Sequence, residues 1–157
     1  MIEDDVMVQT KYGRQPSFAV CPEGSGPFPG IILYMDAPGI REELRNMARR
    51  IAKQGYFCLL PDLYYRLGTL RFDIPRRNDA MSVVIRGAMQ SLTNAAVMED
   101  TAGMIAFLDG QDKVAPGPLG CVGPMICTAS VIVGAWEAAG KPALKTEMPR
   151  TVQKVKK

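Results

Sequence analysis

The sequence predicts an α/β fold in which an N-terminal antiparallel hairpin joins a short, mainly parallel sheet flanked by helices. Three observations carry this. Two apolar runs, 31–35 (I-I-L-Y-M) and 56–60 (Y-F-C-L-L), bracket one amphipathic helical stretch. Alternating residues near the N-terminus meet a turn and a returning apolar run. A further apolar run at 119–122 follows a second helical stretch. The chain has 157 residues, enough for one domain and one core. With 47% apolar and 22% charged residues it has the composition of an ordinary globular protein, not of a disordered or fibrous one.

The elements follow in order. Val6, Val8 and Thr10 alternate with Met7 and Gln9, Tyr12-Gly13-Arg14 supplies a turn, and 18–21 returns as the second strand. Residues 22–30 hold three Pro and three Gly and form a loop. The run 31–35 is apolar on both faces, as a buried parallel strand must be, and Asp36-Ala37-Pro38-Gly39 turns the chain after it. In 41–54, Leu44, Met47, Ala48, Ile51 and Ala52 fall on one helical face. Glu42 and Glu43 open that helix and Arg49, Arg50 and Lys53 close it, in accord with its dipole, before Gly55 stops it. Run 56–60, ended by Pro61-Asp62, completes a βαβ unit. An irregular stretch over 63–93, with a weak helix at 79–91, precedes a stronger helix at 94–109 that Gly110 ends. After Ala115-Pro116-Gly117-Pro118, residues 119–122 give a third parallel-type strand. Residues 128–136 fit a strand or a helix, and from 141 onward no apolar face remains, so a frayed end is expected there.

The chain contains no histidine, which removes every Ser-His-Asp, Cys-His and His-ligated metal arrangement from these 157 residues. The net charge of +3 is concentrated in residues 141–157, where six Lys/Arg face one acid. That end lacks aromatic residues to stack on bases, so no nucleic-acid partner is expected. The acidic start and the lack of a long apolar run predict a cytoplasmic chain with no membrane partner. Cys21, Cys58, Cys121 and Cys127 form no C-x-x-C pair. The first three lie in strand-like runs and read as small buried hydrophobes, and no metal or other cofactor is expected.

Ligands of open α/β sheets gather beyond the C-terminal ends of parallel strands. Asp36 ends such a strand, where its carboxylate can orient a reacting group while free N–H groups of the turn bind an oxyanion. A turn-forming Asp that satisfies local backbone donors fits the same pattern. Arg66, Arg71, Arg76 and Arg77 follow the second strand end and suit an anionic substrate, or else form a solvated loop.

Residues 29–66, from P-G-I-I-L-Y-M-D-A-P-G-I-R through Q-G-Y-F-C-L-L-P-D-L-Y-Y-R, resemble the N-terminal half of the dienelactone hydrolase family, which are α/β-hydrolases. The motifs S-L-T-N at 91–94, F-L-D-G-Q at 107–111 and G-C-V-G at 120–123 extend the resemblance over roughly 5–123. It implies cofactor-free hydrolysis of a small carboxylic ester or lactone by a Cys nucleophile on the turn after the third strand, assisted by a downstream Asp and His. It assigns Asp36 to thiol orientation and the Ala37 N–H to the oxyanion hole. Of the arginines after the second strand end, Arg71 and Arg76 are the candidates for a substrate carboxylate, with the solvated loop as the alternative. Asp36 stands where the best-known members carry Glu.

After G-C-V-G the motif order changes. The nucleophile position is Met125, Cys127 comes two residues late, and no Gly follows to form a tight elbow. Residues 1–123 therefore read as the first half of a hydrolase domain and 124–157 as a divergent tail, mobile from about 141. A frameshift or altered terminus leaves such a pattern. Cys127 remains the candidate thiol, activity is expected to be impaired, and a non-catalytic remnant or a self-associating protein is the alternative. Self-association would use an exposed sheet edge at 119–122.

Overall fold

The computed structural model describes residues 1–123. They form strands β1 (Ile2–Thr10), β2 (Gly13–Cys21), β3 (Gly30–Leu33), β4 (Phe57–Pro61) and β5 (Gly120–Val122), with helices α1 (Glu42–Ala52), α2 (Asp79–Ser91) and α3 (Asn94–Asp109). The strands make one sheet in the order β1-β2-β4-β3-β5. β1 pairs antiparallel with β2, and β2 antiparallel with β4. β3 lies parallel to both β4 and β5, with Ile32 opposite Leu59 on one side and Cys121 on the other. The expected mixed α/β sheet and its βαβ unit are present.

Alternation along the strands decides which helix covers which face. Glu3 and Asp5 of β1 point toward α1, where they pair with Arg49 and Arg45 at 2.8 Å each. Arg45 also lies 4.6 Å above the Phe18 ring. α1 buries Leu44, Ala48 and Ala52. α3 covers the opposite face and comes so close that a Cβ on Gly103 would stand 2.6 Å from the Gln9 carbonyl oxygen. Between the layers lie Val8, Leu33, Leu59, Leu60, Met104 and Leu108, all fully buried.

Several sequence expectations shift in detail. The hairpin is longer than read, because the acids of β1 serve as partners for α1 and the strand continues through them. β3 ends at Leu33, yet the Tyr34 N–H still donates to the Val122 carbonyl at 2.7 Å and prolongs the parallel ladder. The helices at 79–91 and 94–109 form with those bounds, Asn78 and Thr93 each accepting a capping bond from a backbone N–H. Cys21 and Cys58 are buried as expected, whereas Cys121 is only half-buried. The cause is position: among the described residues β5 is one of the two outer strands of the sheet, with β1 at the other edge.

Candidate active site

β3 delivers Asp36 to the C-terminal end of the parallel strands, and a tight turn holds it there. The Gly39 N–H donates to the Asp36 carbonyl at 3.0 Å. Gly39 has φ +79°, a left-handed conformation that favours glycine, and an added Cβ would touch the Tyr64 ring at 3.4 Å. The peptide between Asp36 and Ala37 is planar and trans, so fixing the Asp36 carbonyl sends the Ala37 N–H out of the opposite side. No described residue accepts from that N–H.

Two side chains clamp the turn. Arg41 grips both Asp36 oxygens, Nη1 to Oδ1 at 2.5 Å and Nη2 to Oδ2 at 2.7 Å, and donates to the Gly39 carbonyl at 3.2 Å. The pair is three-quarters buried, in the fork-to-fork geometry that makes Arg–carboxylate bonds directional. From the next strand end, the Tyr64 hydroxyl donates to the Ala37 carbonyl at 2.7 Å. Burial, helped by the carboxylates of Asp36 and Asp62, pushes that hydroxyl up to about 12, so it stays a donor at neutral pH. Asp62 is itself buried and accepts from the Tyr64 N–H at 3.0 Å, and desolvation raises its carboxyl above the usual range. The sequence reading missed both Arg41 and Tyr64. Each lies in a motif it quoted, but their partners depend on the turn conformation, which no periodicity reports.

The arginines divide. Arg66 donates to the buried Asp100 at 2.6 Å and is committed to the fold. Arg71 is half-exposed and 3.4 Å from Asp62 Oδ2, a loose partner that leaves donors for another anion. Arg76 is almost fully exposed beside Asp73, and Arg77 donates to the Ser82 hydroxyl at 2.9 Å. The structure thus places Asp36 and Ala37 together at one strand end and Arg71 at the next, and gives Arg76 no described contact with either. Cys127 lies outside the described residues.

This turn-and-strand arrangement has relatives. The family model described as the dienelactone hydrolase family matches residues 16–143. The chain belongs to that family. The match runs past Gly123, so family resemblance continues beyond the point where the motif order departs, further than the quoted motifs indicated. A protein from Methylorubrum extorquens that bears the name carboxymethylenebutenolidase is 31% identical over 145 residues, which is 92% of this chain and 47% of that protein. Among solved structures, one bearing the name dienelactone hydrolase from Klebsiella pneumoniae aligns with a TM-score of 0.66 at 22% identity, covering 78% of this chain and 49% of its own. An esterase from Pyrobaculum calidifontis aligns with a TM-score of 0.60 at 17% identity, covering 90% and 42%. At these identities the structures establish the α/β-hydrolase fold of this dienelactone hydrolase family member. The chain spans about half the length of the relatives named here.

Proposed function

We propose that this chain carries the oxyanion-turn half of a hydrolase acting on a small carboxylic ester or lactone, in the cytoplasm and without a cofactor. The observation that carries the reading is the Asp36–Gly39 turn, which Arg41 and Tyr64 immobilise so that the Ala37 N–H points away from the turn. In ester hydrolysis a thiolate adds to the carbonyl carbon, and the carbonyl oxygen gains the negative charge that this N–H would stabilise. Cys127 is the candidate thiol and Asp36 its candidate orienting group, with Arg41 competing for the same carboxylate. Arg71, loosely held, and Arg76, exposed, suit the carboxylate of an anionic ester. No helix among the described residues is long and apolar enough to cross a membrane.

Turnover by the 157-residue chain is expected to be slow. It contains no His to accept the thiol proton or to protonate the leaving alkoxide. A Cys with an ordinary pKa near ~8.5 is only a few per cent thiolate at neutral pH. Purified chain should therefore hydrolyse nitrophenyl acetate little faster than buffer. Saturable turnover that survives extensive purification would overturn this and point to an unidentified base.

A second reading, a self-associating protein, has its own support. β5 is an outer strand among the described residues, and Val122 on it is exposed.

A further inference from the structure

The hydrolase reading leaves one charged cluster unused, at the junction of the hairpin turn, α3 and the 3-10 turn at Tyr65–Leu67. At its centre Asp100 of α3 is 0% exposed. Its Oδ1 accepts from the Tyr65 hydroxyl at 2.8 Å and from Arg66 Nη2 at 2.6 Å. Its Oδ2 has no hydrogen-bond partner among the described residues. The Tyr65 hydroxyl also shares a 2.7 Å bond with Thr10 at the end of β1, and the Arg66 guanidinium lies 4.1 Å over the Tyr12 ring. Glu99, the other acid of this face, is held by Lys11 at 2.7 Å and by the Tyr12 hydroxyl. Tyr34, from β3, reaches the neighbouring Thr101 at 2.7 Å. The charged and titratable groups around Asp100 are thus Tyr65 and Arg66 on the 3-10 turn, Lys11 and Tyr12 on the hairpin, Glu99 on its own helix, and Tyr34 one residue away.

We propose that Asp100 is an acid-sensitive tie that fastens the 3-10 turn, and the exposed stretch behind it, to the hairpin and α3. The unpartnered Oδ2 takes a proton without displacing any hydrogen bond. The resulting neutral acid still accepts from Tyr65 through Oδ1, but it no longer attracts the Arg66 guanidinium as a charge. The direction follows from linkage. Burial raises the Asp100 carboxyl, while Tyr65 and Arg66 oppose that rise. If Arg66 leaves and Asp100 stays buried, the opposition weakens and the carboxyl binds its proton more tightly still. A proton therefore favours the released state.

The segment that release would free is already lightly anchored. Residues 66–69 and most of 71–80 are exposed, and α2 buries only Ile85 and Ala88. Arg71, Arg76 and Arg77 all lie on it. The tie requires neither catalysis nor a ligand, so it stands or falls apart from the hydrolase reading.

Hydrogen exchange on the full 157-residue chain between about pH 4.5 and about pH 7.5, corrected for intrinsic rates, tests it. Peptides covering 65–78 should lose protection on acidification by up to about tenfold per pH unit above the Asp100 midpoint and level off below it, while α1 peptides stay level. Carbon NMR of the Asp100 carboxyl should place its midpoint where the exchange levels off. In Asp100→Asn, protection of 65–78 at neutral pH should match the acidified wild type and cease to depend on pH. Flat exchange in the wild type while Asp100 titrates, or a levelling-off away from the Asp100 midpoint, overturns the proposal. So does a pH dependence that persists in D100N. Should D100N fail to fold, the two wild-type measurements decide the matter alone.

Discussion

The Tyr64 hydroxyl joins the loop after β4 to the turn after β3 through one bond, to the Ala37 carbonyl. Tyr64→Phe keeps the ring against Gly39 and removes only that bond. Urea unfolding should show a loss of about 1 kcal/mol with an unchanged slope, plus any cost of leaving the Ala37 carbonyl unpaired. A midpoint equal to wild type would mean that the turn holds without Tyr64. At Cys58, burial pushes the thiol up to about 12, which leaves roughly one molecule in ten thousand as thiolate at pH ~8. A disulfide reagent added to native protein should therefore spare Cys58, and it should react only after denaturant. Rapid labelling of Cys58 in the native state, located by peptide mapping, would show that β4 opens readily. The position of Asp36 was legible in the sequence, because an acid directly after a doubly apolar strand falls at the strand's C-terminal end, where a turn-forming and a functional acid look alike. Arg41 and Tyr64 were not, because both contacts exist only once Gly39 adopts its positive φ.

Helices show how far periodicity reaches. α1 announces itself by five apolar residues on one face with acids first and bases last, and the structure buries three of them. α3 was placed equally well by Val97, Met98, Met104, Ile105 and Leu108, all buried except the half-buried Met98. Its polar contribution stayed hidden. Asp100 and Thr101 sit in the same buried face as those apolar residues, where a pattern of apolar positions reads them as interruptions. Gly103 was equally silent, since only the approach of α3 to β1 explains it. Gly103→Ala improves helix propensity, yet its methyl group would meet the Gln9 carbonyl at 2.6 Å and the Thr10 Cα at 3.2 Å. Backbone atoms cannot step aside as a side-chain end can, so α3 must shift outward. A net loss of about 1–3 kcal/mol is expected in thermal or urea unfolding. A stabilised G103A would mean that α3 has freedom to slide on the sheet.

At the scale of the molecule, the succession of strands along the chain was readable because each parallel strand carried its own apolar run and its own terminating turn, whereas their order across the sheet was not. What flanks β5 was not readable from β5 itself, since three residues contain no sign of their neighbours. The structure adds what an edge requires. β5 pairs with β3 on one side, Ile31 to Gly120, Ile32 to Cys121 and Leu33 to Val122, and among the described residues no strand pairs with its other side. Gly120 is exposed, and Val122 retains 44% of its surface in water. An outer strand offers alternate N–H and C=O groups as a template for another chain, and no Lys, Pro or bulge within β5 blunts it. A second copy presenting the same strand would satisfy those groups by antiparallel pairing about a twofold axis, the commonest symmetry of homo-oligomers. Light scattering should then show a mass that rises with concentration in the micromolar range. Val122→Lys puts a charge on each side of the twofold and should return the mass to that of a monomer. It should also leave the unfolding midpoint at low concentration within about 0.5 kcal/mol of wild type, because Val122 is a surface position. A monodisperse monomer at about 100 µM, with the Cys121 and Val122 amides protected from exchange, would show that the edge is covered within one chain. If those amides instead exchange as fast as a free loop, β5 does not form in solution, and the self-association reading fails with it.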